Sequence, residues 1–176
     1  MKLDLKLEKK RLKEYLLYIA IIVAGIILDQ VTKLLAVIFL KSGAELKILG
    51  NFVKLEYAEN EGMAFGMMEN ARWVFMSVST VAIIAMLVYI FLWPNQPKSY
   101  LISVAVIASG GIGNMIDRIA LGYVVDFVSV KYFAVFNGAD SLVCVGAGFL
   151  VLFMLIDIVK EAKELKAEKG KKDKKD

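Results

Sequence analysis

The sequence predicts an all-α integral membrane fold with four transmembrane helices, both termini in the cytoplasm, and a small extracytoplasmic β-hairpin followed by an interfacial segment. Hydrophobic residues make up 59% of the 176-residue chain, well above the roughly 45–50% typical of soluble domains. Several apolar stretches approach the about 20 residues needed to cross the hydrocarbon core of a bilayer. They predict helices over residues 15–40, 73–93, 100–118 and 138–158.

Lysine and arginine residues near the helix ends determine the expected orientation. Residues 1–14 carry six of them and residues 160–176 carry eight. We therefore expect both segments to be charged cytoplasmic tails of a single membrane domain, residues 15–159. The lysines of the tails are expected to contact anionic membrane lipids and not nucleic acid, because no stacking aromatic residues lie among them.

The first segment expected to face outward, residues 41–72, begins with a predicted β-hairpin. In ELKILGNFVKLEY the apolar residues alternate on either side of Gly50 and Asn51, a pair suited to a two-residue turn. The next stretch, AENEGMAFGMMENARW, combines methionines with flexible glycines such as Gly62. That mixture is typical of an interfacial segment that adapts to an apolar ligand, although a re-entrant stretch packed on the helices explains it equally well.

Carboxylates are the remaining source of acid–base chemistry. The chain has no histidine, which excludes Ser-His and Cys-His nucleophile pairs and every metal site that contains histidine. Its single cysteine, Cys144, lies inside the fourth predicted helix. We expect it to pack in the core as a small hydrophobic residue.

Two ionisable residues lie within the first predicted helix, where charge is costly and marks either a functional site or a paired group. Asp29 is followed four residues later by Lys33, on the same helical face. The spacing predicts an ion pair. A structural bridge and a functional role are equally consistent with it.

Three further aspartates are expected to meet at the outer membrane boundary, because the third helix runs outward and the fourth returns. Asp117 has a neighbouring cation in Arg118 and fits a salt-bridged structural carboxylate, whereas Asp126 and Asp140 have no cation close by in sequence. Two carboxylates held close together share one proton, so one can act as general base and the other as general acid. The residues alone leave the choice between Asp117 and Asp126 open. A further explanation of the three aspartates is that they cap helix ends or are solvated in loops.

Two other classes of function also remain open from the residues alone. A small proton-coupled membrane transporter uses intramembrane carboxylates, but usually near the midplane and with repeated or broken helices. A non-catalytic membrane scaffold would tolerate neutral replacements of the same aspartates. Asn114 and Asn137 lie near these aspartates in sequence and fit side chains that orient carboxylates.

Five motifs occur in the order LDQVTK (28–33), YAENEGMAFG (57–66), GGIGNMIDR (110–118), VVDF (124–127) and FNGADS (136–141). Together they resemble the bacterial lipoprotein signal peptidases, also called signal peptidase II, an aspartic peptidase family. The resemblance implies a monomeric endopeptidase of the bacterial cytoplasmic (inner) membrane, with its active site at the extracytoplasmic face and no need for a metal or cofactor. It further implies cleavage of diacylglyceryl-modified prolipoproteins before the lipidated cysteine, and inhibition by globomycin-type antibiotics.

The same resemblance implies that Asp126 and Asp140 form the catalytic dyad, which favours Asp126 over Asp117. It implies supporting or substrate-binding roles for Asn60, Gly62, Asn114, Asp117, Arg118, Asn137, Asp29 and Lys33. Gly138 and Met63 depart from the residues usual in the family, but neither departure removes a reacting group. The hairpin and the methionine-rich segment are expected to cover the substrate groove as a lid.

Overall fold

The computed structural model describes residues 2–62 and 71–172, in which four helices carry one four-stranded antiparallel sheet. The elements occur in the order α1 (Lys2–Leu40), β1 (Leu46–Leu49), β2 (Val53–Asn60), α2 (Ala71–Leu92), α3 (Lys98–Ala120), β3 (Val124–Val130), β4 (Val135–Phe136) and α4 (Gly138–Lys172). Half of the predicted interfacial segment, residues 63–70 with Met63, lies outside the described residues.

The helices occur at the four predicted places, and two of them are longer than expected. α1 begins at Lys2 and α4 continues to Lys172, so the charged segments predicted as tails continue the membrane helices. Their lysine and glutamate residues are good helix formers, and each extension needs no new nucleation. The prediction for Cys144 is wrong, because it is exposed on α4. On a helix surface that faces lipid, no hydrophobic driving force moves a small apolar side chain into the core.

Within the described residues, three helical stretches are long and apolar enough to cross a membrane. They are Leu7–Leu40, Lys98–Ala120 and Gly138–Glu168, and α2 adds a shorter apolar stretch, Met76–Leu92. The protein is therefore membrane-embedded. Four crossings and cytoplasmic termini remain predictions.

α3 is the central helix, because it packs against α1, α2 and α4. Two polar contacts hold the helices at the end where α1 begins. Lys98 forms an ion pair with Glu14 at 2.8 Å, and the hydroxyl of Tyr100 donates to Asp157 at 2.9 Å. The charged extensions of α1 and α4 consequently lie at one end of the helices, and the sheet lies at the other.

The sheet is larger than the predicted hairpin, so the all-α prediction is incomplete. β1 and β2 pair as expected, but their connection has three residues, 50–52, instead of two. Gly50 begins it with φ +57° and Phe52 donates its N–H to the carbonyl of Leu49 at 3.0 Å. β3 and β4 then extend the sheet in the order β1-β2-β3-β4.

A β-bulge sets the register between β2 and β3. Leu55 pairs with Val128 and Ala58 pairs with Asp126, so three steps along β2 match two along β3. The extra residue places Ala58 opposite Asp126.

One face of the sheet packs on the end of α1. Val125 is buried there with Ala36 and Leu40, and Phe127 packs against them. Because side chains alternate between the two faces of a strand, Asp126 projects to the opposite face.

Candidate active site

Asp126 and Asp140 lie on either side of the fully buried Asn137. The Nδ2 amide of Asn137 donates to Oδ1 of Asp126 at 2.6 Å, and its backbone N–H donates to Oδ2 of Asp140 at 3.2 Å. Asp126 is only 2% exposed. The two aspartates predicted as the dyad therefore belong to one hydrogen-bonded unit at the sheet end of the helices.

Asp140 lies in the first turn of α4 and takes part in a reciprocal cap. Oδ1 of Asn137 accepts the backbone N–H of Asp140 at 3.0 Å, while the Asp140 carboxylate accepts the backbone N–H of Asn137. This is the geometry of a capping box. Asn114 donates to the other carboxylate oxygen of Asp140 at 2.8 Å. These N–H donors fix the position of the Asp140 side chain at the N-terminus of α4.

Asp126 has a different environment, because it is buried on β3. Asn60 donates to Oδ2 of Asp126 at 2.8 Å, beside the bond from Asn137 to Oδ1. Burial raises the pKa of Asp126 above its ordinary value, and the charge of Asp140 adds to this effect. The hydrogen bonds from Asn60 and Asn137 and the charge of Lys33 oppose the rise in pKa without cancelling it. Asp126 therefore retains a proton to higher pH than an exposed aspartate.

The orientation of Asn60 depends on Gly62. Gly62 donates its backbone N–H to Oδ1 of Asn60 at 2.8 Å, which leaves the Asn60 NH₂ group facing Asp126. Gly62 has φ +79°, a conformation that favours glycine. Its role is to hold the side chain that holds Asp126.

Lys33 is buried below the dyad and contacts three acceptors. Its Nζ lies 2.9 Å from Asp29, 2.9 Å from Asp117 and 2.8 Å from Oδ1 of Asn114. The ion pair predicted from the spacing of Asp29 and Lys33 is present. Asp117 is salt-bridged, as expected, and a cation that contacts it is Lys33 of α1. The sequence indicated the neighbouring residue Arg118 as its cation. Arg118 is half-buried in the last turn of α3, where a cation complements the helix dipole.

Backbone and amide contacts join this buried cluster to the dyad segments. Asp29 accepts the N–H of Ala139 at 2.8 Å, and Asp117 accepts the N–H of Val125 at 3.1 Å. Gln30, which the sequence reasoning missed, donates to Asp117 at 3.0 Å. In the sequence, Gln30 is recognisable as a polar residue next to Asp29 within an apolar run.

Gly113 allows α1 and α3 to approach closely at this cluster. A Cβ atom at Gly113 would overlap the carboxylate of Asp29. The glycine-rich run of α3 therefore serves close packing.

An open cleft of about 380 Å³ lies beside Asp126. Its walls are formed by Ala58, Glu59, Asn60, Glu61, Asp126 and Val135. Asp126 thus forms part of the wall of this cleft. The geometry supplies two carboxyl groups joined through one asparagine, a raised pKa at Asp126, and a space for substrate beside Asp126.

Comparisons with known proteins identify the family of this chain. The family described as Signal peptidase (SPase) II matches residues 21–156 of this chain. The lipoprotein signal peptidase of Clostridium tetani (strain Massachusetts / E88) is 43% identical over 148 residues, covering 81% of this chain and 92% of the relative. The lipoprotein signal peptidase of Caldanaerobacter subterraneus subsp. tengcongensis is 42% identical over 139 residues, covering 77% and 95%.

A solved bacterial membrane enzyme has a similar fold. That structure, obtained by the in meso method at 1.9 Å resolution, matches with a TM-score of 0.72 and 28% sequence identity, covering 78% of this chain and 92% of that chain. The family match covers most of the sequence, including every residue of the dyad and of its hydrogen-bonded surroundings. This chain therefore belongs to the signal peptidase II family of membrane peptidases.

Proposed function

We propose that the protein is an aspartic endopeptidase that removes signal peptides from diacylglyceryl-modified prolipoproteins by cleaving before the lipidated cysteine. The observation that carries the proposal is the union of Asp126 and Asp140 through Asn137, beside an open cleft. Membership of the signal peptidase II family and relatives named as lipoprotein signal peptidases support the choice of substrate.

The contrast between the two carboxylates supports a division of roles in this mechanism. Asp140, held by N–H donors at the start of α4, takes a proton from the attacking water. Asp126, whose pKa is raised by burial, holds the shared proton and gives it to the oxygen of the scissile carbonyl. The water oxygen bonds to the carbonyl carbon, which gives a neutral tetrahedral diol.

Collapse of the diol returns the dyad to its starting state. The C–N bond breaks, the proton held by Asp140 passes to the departing nitrogen, and Asp126 recovers its proton from a diol hydroxyl. One water is consumed and one peptide bond is broken. The pair titrates as a unit, so a pH profile reports its two macroscopic pKa values.

An apolar cavity close to the dyad supports a lipidated substrate. It has a volume of about 360 Å³, lies between the end of α1 and the sheet, and is lined by Thr32, Leu35, Ala36, Phe39, Leu40, Leu46, Leu55 and Phe127. Phe127 follows Asp126 on β3, so this cavity and the cleft lie on opposite faces of one strand. An acyl chain is the apolar ligand that a membrane supplies in abundance.

The proposed setting is the bacterial inner membrane, with four crossings and the dyad at the extracytoplasmic face. The lysine-rich ends of α1 and α4 lie together at the end of the helices away from the sheet, as expected if both face the cytoplasm. We further propose a monomer that acts without metal or cofactor, contacts membrane lipids and binds globomycin-type inhibitors.

Cleavage by the detergent-purified protein tests the proposal. Wild-type protein should cleave a diacylglyceryl-modified prolipoprotein and leave the unlipidated form intact. Asp126→Asn and Asp140→Asn should each lower kcat by about 10²–10⁴-fold, the usual contribution of acid–base catalysis. Asp157→Asn is the matched control, because Asp157 lies at the far end of α4 and should retain activity. Undiminished cleavage by either dyad variant would refute the mechanism.

A further inference from the structure

Two buried carboxylates outside the dyad each hold the backbone of a residue next to a dyad aspartate. Asp29, on α1, accepts the N–H of Ala139 at 2.8 Å. Asp117, on α3, accepts the N–H of Val125 at 3.1 Å. Ala139 and Val125 are the residues that immediately precede the two dyad members in the chain. The start of α4 and the strand β3 are thus fixed to two different helices by equivalent bonds.

Lys33 joins these two attachments. Its ammonium group has three N–H donors, and three acceptors lie within 2.9 Å: Asp29, Asp117 and Oδ1 of Asn114. Lys33 is only 3% exposed. With every donor engaged and no solvent access, its ammonium acts inside the protein and does not contact substrate.

The same ammonium determines which way the Asn114 amide faces. A lysine can only donate, so the oxygen of Asn114 must face Lys33. The NH₂ group of Asn114 then faces Asp140 and donates to Oδ1 at 2.8 Å. The Asn114 oxygen also accepts from Asn137 at 3.0 Å, and Asn137 donates to Asp126. One cation therefore orients the donors to both dyad carboxylates.

We propose that Lys33 is a positioning residue of the dyad, which sets the geometry of Asp126 and Asp140 through Asp29, Asp117 and Asn114 without touching substrate. This inference rests on the proposed function, because it concerns the same reaction. It assigns the buried cluster a role in the catalytic rate beyond its contribution to folding.

The charge of Lys33 also affects the proton of the dyad. Asp29 and Asp117 contact the ammonium directly, and Asp140 is reached through one amide. Lys33 lowers the pKa of Asp126, against the larger effect of burial. Removal of the ammonium should let Asp126 keep its proton to higher pH. The alkaline limb of the pH profile, where the shared proton is lost, should then move upward.

A double variant that preserves the net charge of the buried cluster tests the proposal, and the carboxylate that remains, Asp29, keeps its N–H donors from Gln30 and Ala139. Lys33→Met alone would strand two buried carboxylates, which often prevents folding. Lys33→Met combined with Asp117→Asn removes one charge of each sign, and asparagine retains an oxygen for the Val125 N–H. Lys98→Met is the control, because it removes an ion pair between the same two helices, α1 and α3, at their other end.

The measurements are kcat, KM and the pH profile for cleavage of a lipidated prolipoprotein, with thermal unfolding to identify folded variants. The double variant should lose about 10²-fold in kcat, the effect of a misplacement near 1 Å, with KM unchanged and the alkaline limb shifted upward. Lys33→Arg keeps the charge but not the compact ammonium. It should lower kcat without shifting the limb, and Lys98→Met should match wild type.

The outcomes separate this proposal from the proposed function. Wild-type kcat and an unchanged pH profile in the folded double variant would overturn the positioning role and leave the peptidase standing. Wild-type kcat in Lys33→Arg would also overturn it. No cleavage by folded wild-type protein would overturn both the proposed function and the positioning role that rests on it.

Discussion

Asn137 combines a helix cap with a support for the dyad, and two substitutions separate these roles. Its Oδ1 caps α4 by accepting the N–H of Asp140, while its NH₂ group donates to Asp126 at 2.6 Å and to Asn114 at 3.0 Å. Asn137→Ala removes both functions. Asn137→Ser keeps an oxygen for the cap but has no amide to donate.

The bonds give the expected magnitudes. Loss of the cap costs about 1 kcal/mol, and loss of the bonds to the protonated Asp126 carboxyl and to Asn114 costs about 1 kcal/mol each. Asn137→Ala should therefore lower the free energy of unfolding by about 3 kcal/mol, and Asn137→Ser by about 2 kcal/mol. In the transition state Asp126 gives up its proton and the bond strengthens to about 1.5–3 kcal/mol. The gain of about 0.5–2 kcal/mol corresponds to roughly 2–30-fold in kcat.

Thermal unfolding and cleavage of the lipidated substrate, both in detergent, check this reasoning. The two variants should share one kcat deficit, whereas Asn137→Ser should melt about 2–4 °C above Asn137→Ala, given the length of the chain. A return of kcat together with stability in Asn137→Ser would mean that Asn137 acts only as a cap, and it would refute the proposed support of Asp126.

Three further outcomes are expected. Burial raises the pKa of Asp126 in the folded protein above its pKa in the unfolded chain. Between these two pKa values, ionisation of Asp126 destabilises the native state of the wild type as pH rises. The Tm of Asp126→Asn relative to that of the wild type should therefore increase over this pH range. Gly113→Ala should cost about 1–3 kcal/mol by overpacking, as measured by unfolding, whereas Gly148→Ala, where a Cβ meets open space, should not destabilise. Leu35→Trp, which narrows the apolar cavity, should raise KM for the lipidated substrate, whereas Leu34→Trp, next to it but outside the cavity lining, should leave KM unchanged; equal KM values in the two variants would exclude acyl binding in this cavity.

Local pattern predicted much of the helical framework. Apolar runs located the helices, and the four-residue spacing of Asp29 and Lys33 predicted their ion pair. The residues alone did not choose between Asp117 and Asp126, because both lie near the same boundary. Their contacts distinguish them: Asp117 pairs with Lys33 on α1, while Asp126 faces the cleft. Such contacts join segments distant in sequence, and one local motif does not reveal them.

β3 was missed although its sequence carried a strand signal. VVDFVSV is rich in β-branched valines, which favour strands. The run is too short to predict a membrane helix, and no Gly-Asn turn follows it as one follows β1, so no element is predicted there. β4 has only two residues, too few for a pattern of its own, and it forms because β3 offers an edge for pairing. Helix ends were misjudged for a related reason, since charged residues end an apolar run without ending a helix.

The bulge between Leu55 and Ala58 makes the identity of Asn60 insufficient for its role. In a regular ladder continued from Leu55, the same residues would pair Tyr57 and not Ala58 with Asp126, and every side chain of β2 beyond that point would exchange faces of the sheet. Every motif residue from Asn60 onward would survive, yet the amide that holds Asp126 would point toward α1. A relative that pairs these strands at the same length without the bulge would therefore retain the whole family signature and still have lost a working dyad.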